Sequence, residues 1–240
     1  MTALFISDLH LDASRPMATR AFLKFLENDA PAAQVLYILG DLFEVWVGDD
    51  DPDPHHREVA VALASLSRKG TRCYFIHGNR DFLIGQRFLS ASKLTLLNDP
   101  TLIYVGGESV LISHGDILCT DDLSYQRFRR IVRNPLMLTI VNSLPLWARR
   151  RLASKARQKS TASYAFKPPE ILDVNQAAVV TVLAEYNVST LLHGHTHRPA
   201  MHEMTLQGLP ARRIVLGDWY ETGSVLSWDD NCPQLSTLHF

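Results

Sequence analysis

Seven residues of metal-binding type stand directly after short apolar runs along this chain. They carry carboxylate, imidazole and amide groups, whose oxygen and nitrogen atoms bind divalent cations. The set comprises Asp8, His10, Asp41, Asn79, His114, His195 and His197. Carboxylates mixed with imidazoles suit Mn²⁺, Fe²⁺ or Zn²⁺ better than Ca²⁺. Seven ligands are too many for one tetrahedral site, so they indicate two ions about 3.5–4 Å apart that share a bridging carboxylate.

Each short motif alone has an ordinary structural explanation. Asp8-Leu9-His10 is a weak signal, Gly40-Asp41 is typical of a turn, and His114 alone is compatible with a buried core histidine. The cluster His-Gly-His-Thr-His at 193–197 is a stronger signal, because clustered imidazoles are typical of metal sites. All these pieces in this order, each after an apolar run, favour a metal centre over unrelated turns.

The elements that would position these residues alternate between strands and helices, which predicts βαβ units around a largely parallel sheet. Strands are predicted at 3–7, 35–39, 73–76, 102–105, 110–113, 189–192 and over 201–240, and helices at 17–26, 56–67 and 171–185. Ligands collect at the carboxyl ends of strands in such sheets. Asp8 and His10 are two residues apart, so strand geometry would point both side chains the same way.

The segment from Leu123 to Pro169 has a one-sided charge. It holds eleven of the 24 basic residues of the chain and none of the 25 acidic ones. The segment therefore carries a formal charge of +11, although the whole chain carries only −1. Helical spacing is visible at 125–132, 136–144 and 146–158. A basic helical segment of this kind indicates an anionic partner, such as phosphate groups, nucleic acid or acidic lipid headgroups.

The bulk composition limits the class of protein. A chain of 240 residues with 46% hydrophobic and 20% charged residues is typical of a folded globular protein. Its three cysteines are Cys73, Cys119 and Cys232, an odd and scattered set that argues against a disulfide framework. The N-terminus lacks the pattern of a signal peptide, and no apolar run of about 18 residues occurs. These features predict a cytoplasmic location.

Taken together, the short motifs resemble those of the calcineurin-like metallophosphoesterases. The resemblance is carried by Asp8-Leu9-His10, Gly40-Asp41, Gly78-Asn79, Ser113-His114-Gly115-Asp116 and Gly194-His195-Thr196-His197. It implies an α/β fold, a four-layer αββα metallophosphoesterase sandwich of two packed sheets with helices outside. With the strand–helix pattern and the basic segment described above, we predict a body formed by residues 1–121 and 170–240, into which a basic, apolar helical cap is inserted at 122–169.

The same resemblance implies how the seven ligands divide between two ions. One ion would be held by Asp8, His10, Asp41 and His197, and the other by Asp41, Asn79, His114 and His195. Asp41 would bridge the two. Asn79 and His195, together with Arg80, are expected to act in catalysis as well.

Arg80 departs from the common family pattern, in which a histidine follows Gly-Asn. Arginine is a poor proton donor but a good bidentate partner for phosphate. A pyrophosphate bond can be cut without an acid, because a departing phosphate with a second pKa of about 6 leaves unaided. Arg80 therefore favours a pyrophosphate bond as the target. The structural alternative is a surface arginine that contacts only Asp81.

Longer stretches at 37–51, 74–83, 114–122 and 193–199 resemble one branch of this family. Enzymes of that branch hydrolyse UDP-2,3-diacylglucosamine to UMP and 2,3-diacylglucosamine 1-phosphate (lipid X) in lipid A biosynthesis. The resemblance implies the same substrate, two Mn²⁺ per chain and a peripheral position on the cytoplasmic face of the inner membrane. It implies substrate contacts from Asn79, Arg80, Asp122, Ser160, Tyr164, Lys167 and His195, although the family often has asparagine in place of Tyr164.

The basic segment fits this substrate. Its helices contain more apolar residues than a short hairpin needs for its own packing, and two acyl chains need an apolar chamber. Apolar area beside a basic face is also typical of binding to an anionic membrane surface without spanning it. The structural alternative is a cap that packs on its own body and whose charges are merely solvated.

Two other functions remain open from the sequence. The first is a nuclease or nucleotide phosphodiesterase that uses the basic segment on nucleic acid. Few aromatic residues interleave with its charges, and its apolar residues are in excess, so we do not expect nucleic acid as a partner. No pattern in the sequence indicates an obligate protein partner. The second is a non-catalytic scaffold on a phosphoesterase fold. Retention of all seven ligand-type residues argues against a scaffold.

Overall fold

The computed structural model describes residues 2–164, 168, 171–230 and 232–240. These residues form two mixed β-sheets and the helices that cover them. The strands are β1 (Ala3–Ile6), β2 (Val35–Ile38), β3 (Arg72–Phe75), β4 (Thr95–Leu96), β5 (Thr101–Val105), β6 (Glu108–Ser113), β7 (Thr190–His193), β8 (Ala200–Leu206), β9 (Leu209–Val215), β10 (Thr222–Trp228) and β11 (Pro233–His239). The α-helices are α1 (Pro16–Asn28), α2 (Pro54–Arg68), α3 (Gln86–Ser92), α4 (Leu123–Val132), α5 (Pro135–Ser143), α6 (Leu146–Tyr164) and α7 (Gln176–Tyr186).

Both sheets combine a parallel centre with antiparallel edges. The first has the strand order β11-β10-β1-β2-β3-β4, and its β1, β2, β3 and β4 run parallel. The second has the order β5-β6-β7-β9-β8, and its β6, β7 and β9 run parallel. Helices join β1 to β2, β2 to β3, β3 to β4 and β6 to β7, as the strand–helix alternation of the sequence predicts, whereas β7 and β9 are joined through the antiparallel strand β8. Their carboxyl ends carry the loops that hold the predicted ligands.

Three apolar clusters separate four layers of secondary structure. In β1, Leu4 and Ile6 pack towards α1 and α2, whereas Ala3 and Phe5 pack between the two sheets. This alternation follows from the two-residue repeat of a strand. A third cluster, which includes Leu191 of β7, packs the outer face of the second sheet against α7. The layers are therefore helices, sheet, sheet and helix, which confirms the αββα sandwich.

Helices α4, α5 and α6 form an insertion between β6 and α7, called the insertion below. The chain enters it after Leu118 and leaves it before Asn175, and these two residues are joined by a hydrogen bond from Asn175 N to Leu118 O of 2.9 Å. The Asn175 side-chain amide also donates to Asp121, at 2.9 Å to each carboxylate oxygen. These contacts hold the two ends of the insertion side by side where they join the rest of the protein. We call this junction, formed by Leu118, Asp121 and Asn175, the neck.

The insertion is also tied to the loop that precedes α2. Arg149, in the first half of α6, is buried and donates to Val47 O at 2.5 Å and to both carboxylate oxygens of Asp50. Arg150 pairs with Asp51 at 2.6 Å. Asp53 of the same acidic loop caps α2 by accepting a hydrogen bond from His55 N at 2.9 Å. This acidic run therefore serves helix entry and attachment of the insertion.

The observed elements differ from the predicted ones in two ways: α3 and β4 were not predicted, and one helix begins later than predicted. The helix predicted at 171–185 begins at Gln176, because Asn175 caps it by accepting from Ala178 N at 3.1 Å. The preceding Asp173 lies in a turn and pairs with Arg213 at 3.4 Å. Among the described residues, no helix is both long enough and apolar enough to cross a membrane.

Candidate metal centre

The predicted ligands lie where the carboxyl ends of β1, β2, β3, β6 and β7 meet. Five of them have positive φ angles between 48° and 70°: Asp8, His10, Asp41, His195 and His197. The prediction that strand pleating aligns Asp8 with His10 is therefore wrong, since β1 ends at Ile6 and both residues are in the left-handed region. Such conformations cost of order 1–3 kcal/mol each and persist only where surrounding contacts enforce them.

Close packing of the loops supplies that enforcement. The backbone N–H of Asp8 donates to Gly40 O at 3.1 Å, and that of His10 donates to Asp41 O at 2.9 Å. A Cβ atom at Gly194 would lie 2.3 Å from Asp8 Oδ2, so only glycine lets the β7 loop approach this carboxylate. The ligand loops after β1, β2 and β7 thus form one packed unit.

Asp8, His10 and His197 form the first cluster able to hold a cation. The Nε2 atoms of the two histidines face each other at 3.2 Å, and His197 Nε2 lies 3.4 Å from Asp8 Oδ1. Asp8 Oδ1 is buried and has no hydrogen-bond partner, whereas Oδ2 accepts from Ser7 Oγ and from His195 N. A buried carboxylate oxygen without a donor, facing two imidazole nitrogens, fits a divalent cation.

Asp8, Asp41 and His114 form the second cluster, and Asn79 adjoins it. His114 Nε2 lies 3.0 Å from Asn79 Oδ1 and 3.8 Å from Asp41 Oδ2. The same Asp41 oxygen lies 3.8 Å from His10 Nε2 of the first cluster. Asp41 Oδ2 therefore stands between the two clusters, at equal distances from one imidazole of each.

Outer partners fix which nitrogen of each imidazole faces the centre. His10 Nδ1 lies 3.1 Å from Glu44 Oε2, His197 Nδ1 lies 3.1 Å from Asp218 Oδ2, and His114 Nδ1 lies 2.8 Å from the backbone carbonyl of Leu39. Nδ1 of each ring therefore faces an outer oxygen atom, through a hydrogen bond in the case of His114, and Nε2 of each ring faces the centre. Partners of this kind orient metal-ligating histidines and raise their basicity.

The electrostatics of the cluster favour charged imidazoles beside carboxylates. Burial lowers the pKa of His114, but Asp41 and Asp8 outweigh it and raise that pKa to about 9. Burial likewise opposes charge on His197, yet the nearby carboxylates of Asp218 and Asp8 outweigh it and raise the pKa of His197 to about 10. Burial would raise the pKa of Asp8, but His197 holds it well below the usual range. A cation would therefore compete with protons for both histidines.

His195 and Arg80 lie beside these clusters. The His195 ring is 5.0 Å from that of His114, edge to face, and 6.0 Å from that of Tyr125. Burial, reinforced by the charge of His114, lowers the pKa of His195 to about 4, which keeps its imidazole neutral. Arg80 N donates to Asp41 Oδ1 at 2.8 Å, and the Arg80 guanidinium lies 4.0 Å from Glu44. Arg80 thus faces the centre and is not a surface partner of Asp81.

The structure describes only some of the predicted substrate contacts on the insertion. Asp122 caps α4 by accepting from Tyr125 N at 3.0 Å, and Ser160 is exposed on α6. The side chain of Tyr164 and the whole of Lys167 lie outside the described residues. The structure therefore brings together the seven predicted ligands and Arg80, whereas the four insertion residues stay predictions.

Several residues of the centre were not predicted from the sequence. Glu44 is buried beneath it and contacts His10, Arg15 and Arg157, the last two at 3.1 and 3.0 Å. Asp218 orients His197, and Tyr220 stacks on His10 with ring centroids 5.3 Å apart. Each is an ordinary residue of a turn or strand end in the sequence. Only the folded arrangement reveals them as outer partners.

The αββα sandwich and its buried acidic–imidazole centre together define a metal-dependent phosphoesterase. The chain belongs to the calcineurin-like phosphoesterase family, whose model matches residues 1–199. It is similar to a UDP-2,3-diacylglucosamine hydrolase from Aeromonas hydrophila, at 54% identity over 94% of each chain. Proteins of the same name from Ectopseudomonas mendocina and Pseudomonas entomophila are 55% and 52% identical, over 94% and 99% of this chain and 93% and 99% of theirs.

The fold is also found in a solved structure described as a novel archaeal phosphodiesterase. The two chains superpose with a TM-score of 0.50 over 100% of each, at 11% identity. At that identity the likeness concerns the fold alone.

Proposed function

We propose that this protein hydrolyses the pyrophosphate bond of UDP-2,3-diacylglucosamine to UMP and 2,3-diacylglucosamine 1-phosphate, a step of lipid A biosynthesis. The observation that carries the proposal is relatedness along nearly the whole chain to hydrolases named for this substrate, at 52–55% identity in the three relatives described above. The buried acidic–imidazole centre with Arg80 beside it supplies groups suited to phosphoryl transfer.

Two Mn²⁺ ions would occupy the centre. Asp8, His10, Asp41 and His197 would hold one ion, and Asp41, Asn79, His114 and His195 the other. The central position of Asp41 Oδ2 supports its role as the bridge. When bound, such ions lower the pKa of a water molecule and stabilise charge on phosphoryl oxygens.

The residues around the centre would bind and orient the phosphoryl group during the reaction. A water molecule attacks the α-phosphorus, the bond to the bridging oxygen breaks in line, and the 1-phosphate of the lipid leaves with that oxygen. Arg80 would bind the equatorial oxygens of the phosphoryl group, with Asn79 and His195 beside it. Glu44, which is 4.0 Å from the Arg80 guanidinium, would hold it towards the substrate.

The insertion would bind the lipid part of the substrate and the membrane. Its helices expose large apolar side chains beside basic ones, and Leu136, Trp147 and Leu123 are 76%, 70% and 65% exposed. Apolar area with arginine and lysine nearby suits acyl chains and anionic lipid headgroups. We place the protein peripherally on the cytoplasmic face of the inner membrane, with Asp122, Ser160, Tyr164 and Lys167 as polar substrate contacts.

The first experiment measures UMP release by the purified protein with Mn²⁺. UDP-2,3-diacylglucosamine is the substrate, and UDP-N-acetylglucosamine, which lacks the long acyl chains, is run in parallel. We expect release from the lipid substrate only. Equal release from both would overturn the role of the insertion in substrate choice, and release from neither would overturn the proposed function.

A second measurement locates the attacked phosphorus. In water enriched in oxygen-18, attack at the α-phosphorus puts the label in UMP, whereas attack at the β-phosphorus puts it in the lipid product. Mass spectrometry of the two products separates these cases. Label in the lipid phosphate would contradict attack at the α-phosphorus without affecting the choice of substrate.

A further inference from the structure

The turn that carries Asn79 is held from three sides. Gly78 N donates to Asp81 Oδ1 at 2.8 Å, and Arg80 N donates to Asp41 Oδ1 at 2.8 Å. The third contact comes from the insertion, where Arg133, directly after α4, donates to Gly78 O at 2.9 Å. Two of these contacts belong to the body of the protein, and one crosses to it from the insertion.

Arg133 is itself held in place by a buried carboxylate. Asp116 accepts from Tyr125 Oη at 2.6 Å and from Arg129 Nε at 2.8 Å, both in α4, and its Oδ2 lies 3.4 Å from Arg133. The Arg133 guanidinium also stands 5.9 Å from the centre of the Phe82 ring. Asp116 follows His114 by two residues, so α4 is attached next to one ligand and touches the turn of another.

The Gly78 carbonyl and the Asn79 N–H belong to one peptide group. Rotation of that group would move Asn79, whose Oδ1 lies 3.0 Å from His114 Nε2. The turn has little room to adjust, because a Cβ atom at Gly78 would lie 2.1 Å from Asp41 Oδ1. The hydrogen bond from Arg133 to Gly78 O is therefore one of the contacts that hold the peptide group next to the Asn79 side chain.

We propose that Arg133 is a positioning residue for Asn79, and that cation binding between Asn79 and His114 and docking of α4 stabilise each other. This inference rests on the metal centre of the proposed function but not on its substrate. Coupling between two binding events is reciprocal, so each must strengthen the other by the same factor. Both directions can be measured without substrate.

The forward test is the Mn²⁺ affinity of Arg133→Met. This change removes a positive charge near the cation site, so electrostatics alone would tighten Mn²⁺ binding. Loss of positioning acts in the opposite sense, and loss of such outer partners weakens binding by about 10–100-fold. We expect the affinity for one of the two ions to fall by a factor in that range. Calorimetry and electron paramagnetic resonance of free Mn²⁺ measure this affinity. Unchanged or tighter binding of both ions would overturn the proposal.

Two variants control for charge and folding. Arg130→Gln removes an equal charge from the exposed side of α4, and we expect wild-type Mn²⁺ binding; weakening like that of Arg133→Met would overturn the proposal. Arg133→Lys keeps the charge, but the lysine side chain is one bond shorter than the reach to Arg133 Nη2, the atom that contacts both Gly78 O and Asp116 Oδ2. We expect it to weaken the same ion about threefold or more, and wild-type affinity there would overturn the proposal even where Arg133→Met fails to fold by circular dichroism.

The reverse test is hydrogen exchange in α4. Addition of Mn²⁺ to the wild-type protein should slow exchange across Leu123–Val132, and the slowing should be lost in Arg133→Met. If Mn²⁺ does not change the rate of hydrogen exchange in α4 of the wild-type protein, the coupling is refuted. Neither readout depends on which substrate is cleaved, so failure of this inference is distinguishable from failure of the proposed function.

Discussion

At the scale of single residues, Asp41 links both halves of the centre. Its Oδ2 lies 3.8 Å from His10 Nε2 and from His114 Nε2, and its Oδ1 accepts from Arg80 N. Asp41→Asn keeps the shape and one acceptor but removes the charge that a bridging ligand needs. We expect turnover to fall by more than about 100-fold, beyond the usual loss for an outer partner, and bound metal to fall towards one ion.

Metal analysis and steady-state kinetics of Asp41→Asn check this expectation, with circular dichroism to establish that the variant folds. A variant with wild-type turnover and two ions would contradict the bridging role. His114→Ala tests the same centre from the other side and should also abolish turnover.

Arg80 is the residue whose type points to a pyrophosphate. Arg80→Ala should reduce kcat/KM by about 10²-fold, which corresponds to roughly 3 kcal/mol of transition-state stabilisation, as observed when one donor to a charged transition state is lost. Arg80→Lys should recover part of this loss, because it keeps the charge but not the bidentate geometry. The comparison is made with the lipid substrate at saturating Mn²⁺. A wild-type rate in Arg80→Ala would leave the arginine without a catalytic role.

Cation binding should release protons from the centre. The carboxylates raise the pKa of His114 to about 9 and that of His197 to about 10, so both imidazoles carry a proton at pH 7 until a cation replaces it. Because these pKa values are raised, the cation competes with a proton for each imidazole at pH 7. This competition becomes stronger as pH falls, so Mn²⁺ affinity should fall with it. Calorimetry at pH 7 in buffers of different ionisation enthalpy should report about two protons released per fully loaded chain. A heat that is independent of the buffer would contradict this.

At the scale of elements, the helices of the insertion should bind an anionic bilayer. Trp147→Glu and Leu136→Glu place a charge on two of their most exposed apolar positions, 70% and 76% exposed. We expect each change to reduce cosedimentation with vesicles rich in phosphatidylglycerol several-fold, because it removes apolar contact and adds repulsion. Tyr104→Glu is the matched control, since Tyr104 is 71% exposed on β5, outside the insertion, and should bind like the wild type. An equal loss of vesicle binding in Tyr104→Glu would contradict the proposal that the insertion is the surface that binds the membrane.

The elements were largely predictable from the sequence, whereas the conformation of the loops was not. Apolar runs and helical spacing identify β1, β2, β3 and the helices between them, because burial imposes those periods. The ligand loops carry no such period. Their left-handed residues, Asp8 and His10 among them, depend on contacts between loops distant in sequence. Residue type and order therefore predicted the ligands, but the geometric reason for their convergence required the structure.

At the scale of the whole molecule, burial determines how its cysteines react. Cys73 and Cys119 are buried, and burial raises the pKa of each thiol to about 12, whereas Cys232 is exposed. Because the raised pKa suppresses the reactive thiolate, a disulfide reagent at pH 8 should titrate one thiol quickly and two only after unfolding. Cys232→Ser should remove the fast phase. A fast thiol that remains in that variant would show that one of the buried cysteines is accessible.

Outer partners show where prediction from the sequence ended. Glu44 and Asp218 orient ligands from positions 34 residues after His10 and 21 residues after His197. No pattern of spacing links them to their histidines, since the pairs form only when different loops pack together. The ligand set was accessible because each member follows its own strand, and the surrounding shell was not, because it is a property of the assembled tertiary structure.

The neck of the insertion has a consequence for protein engineering. Because Asn175 N bonds directly to Leu118 O, the chain ends left by excising the insertion would already lie side by side. A linker of a few residues can join them if it keeps Cys119 and Val174, which are buried in the apolar cluster beside α7. The two-sheet body can therefore serve as a scaffold in which another binding domain replaces the insertion at this single junction. In such a graft, Gly78 would need a new partner in place of Arg133.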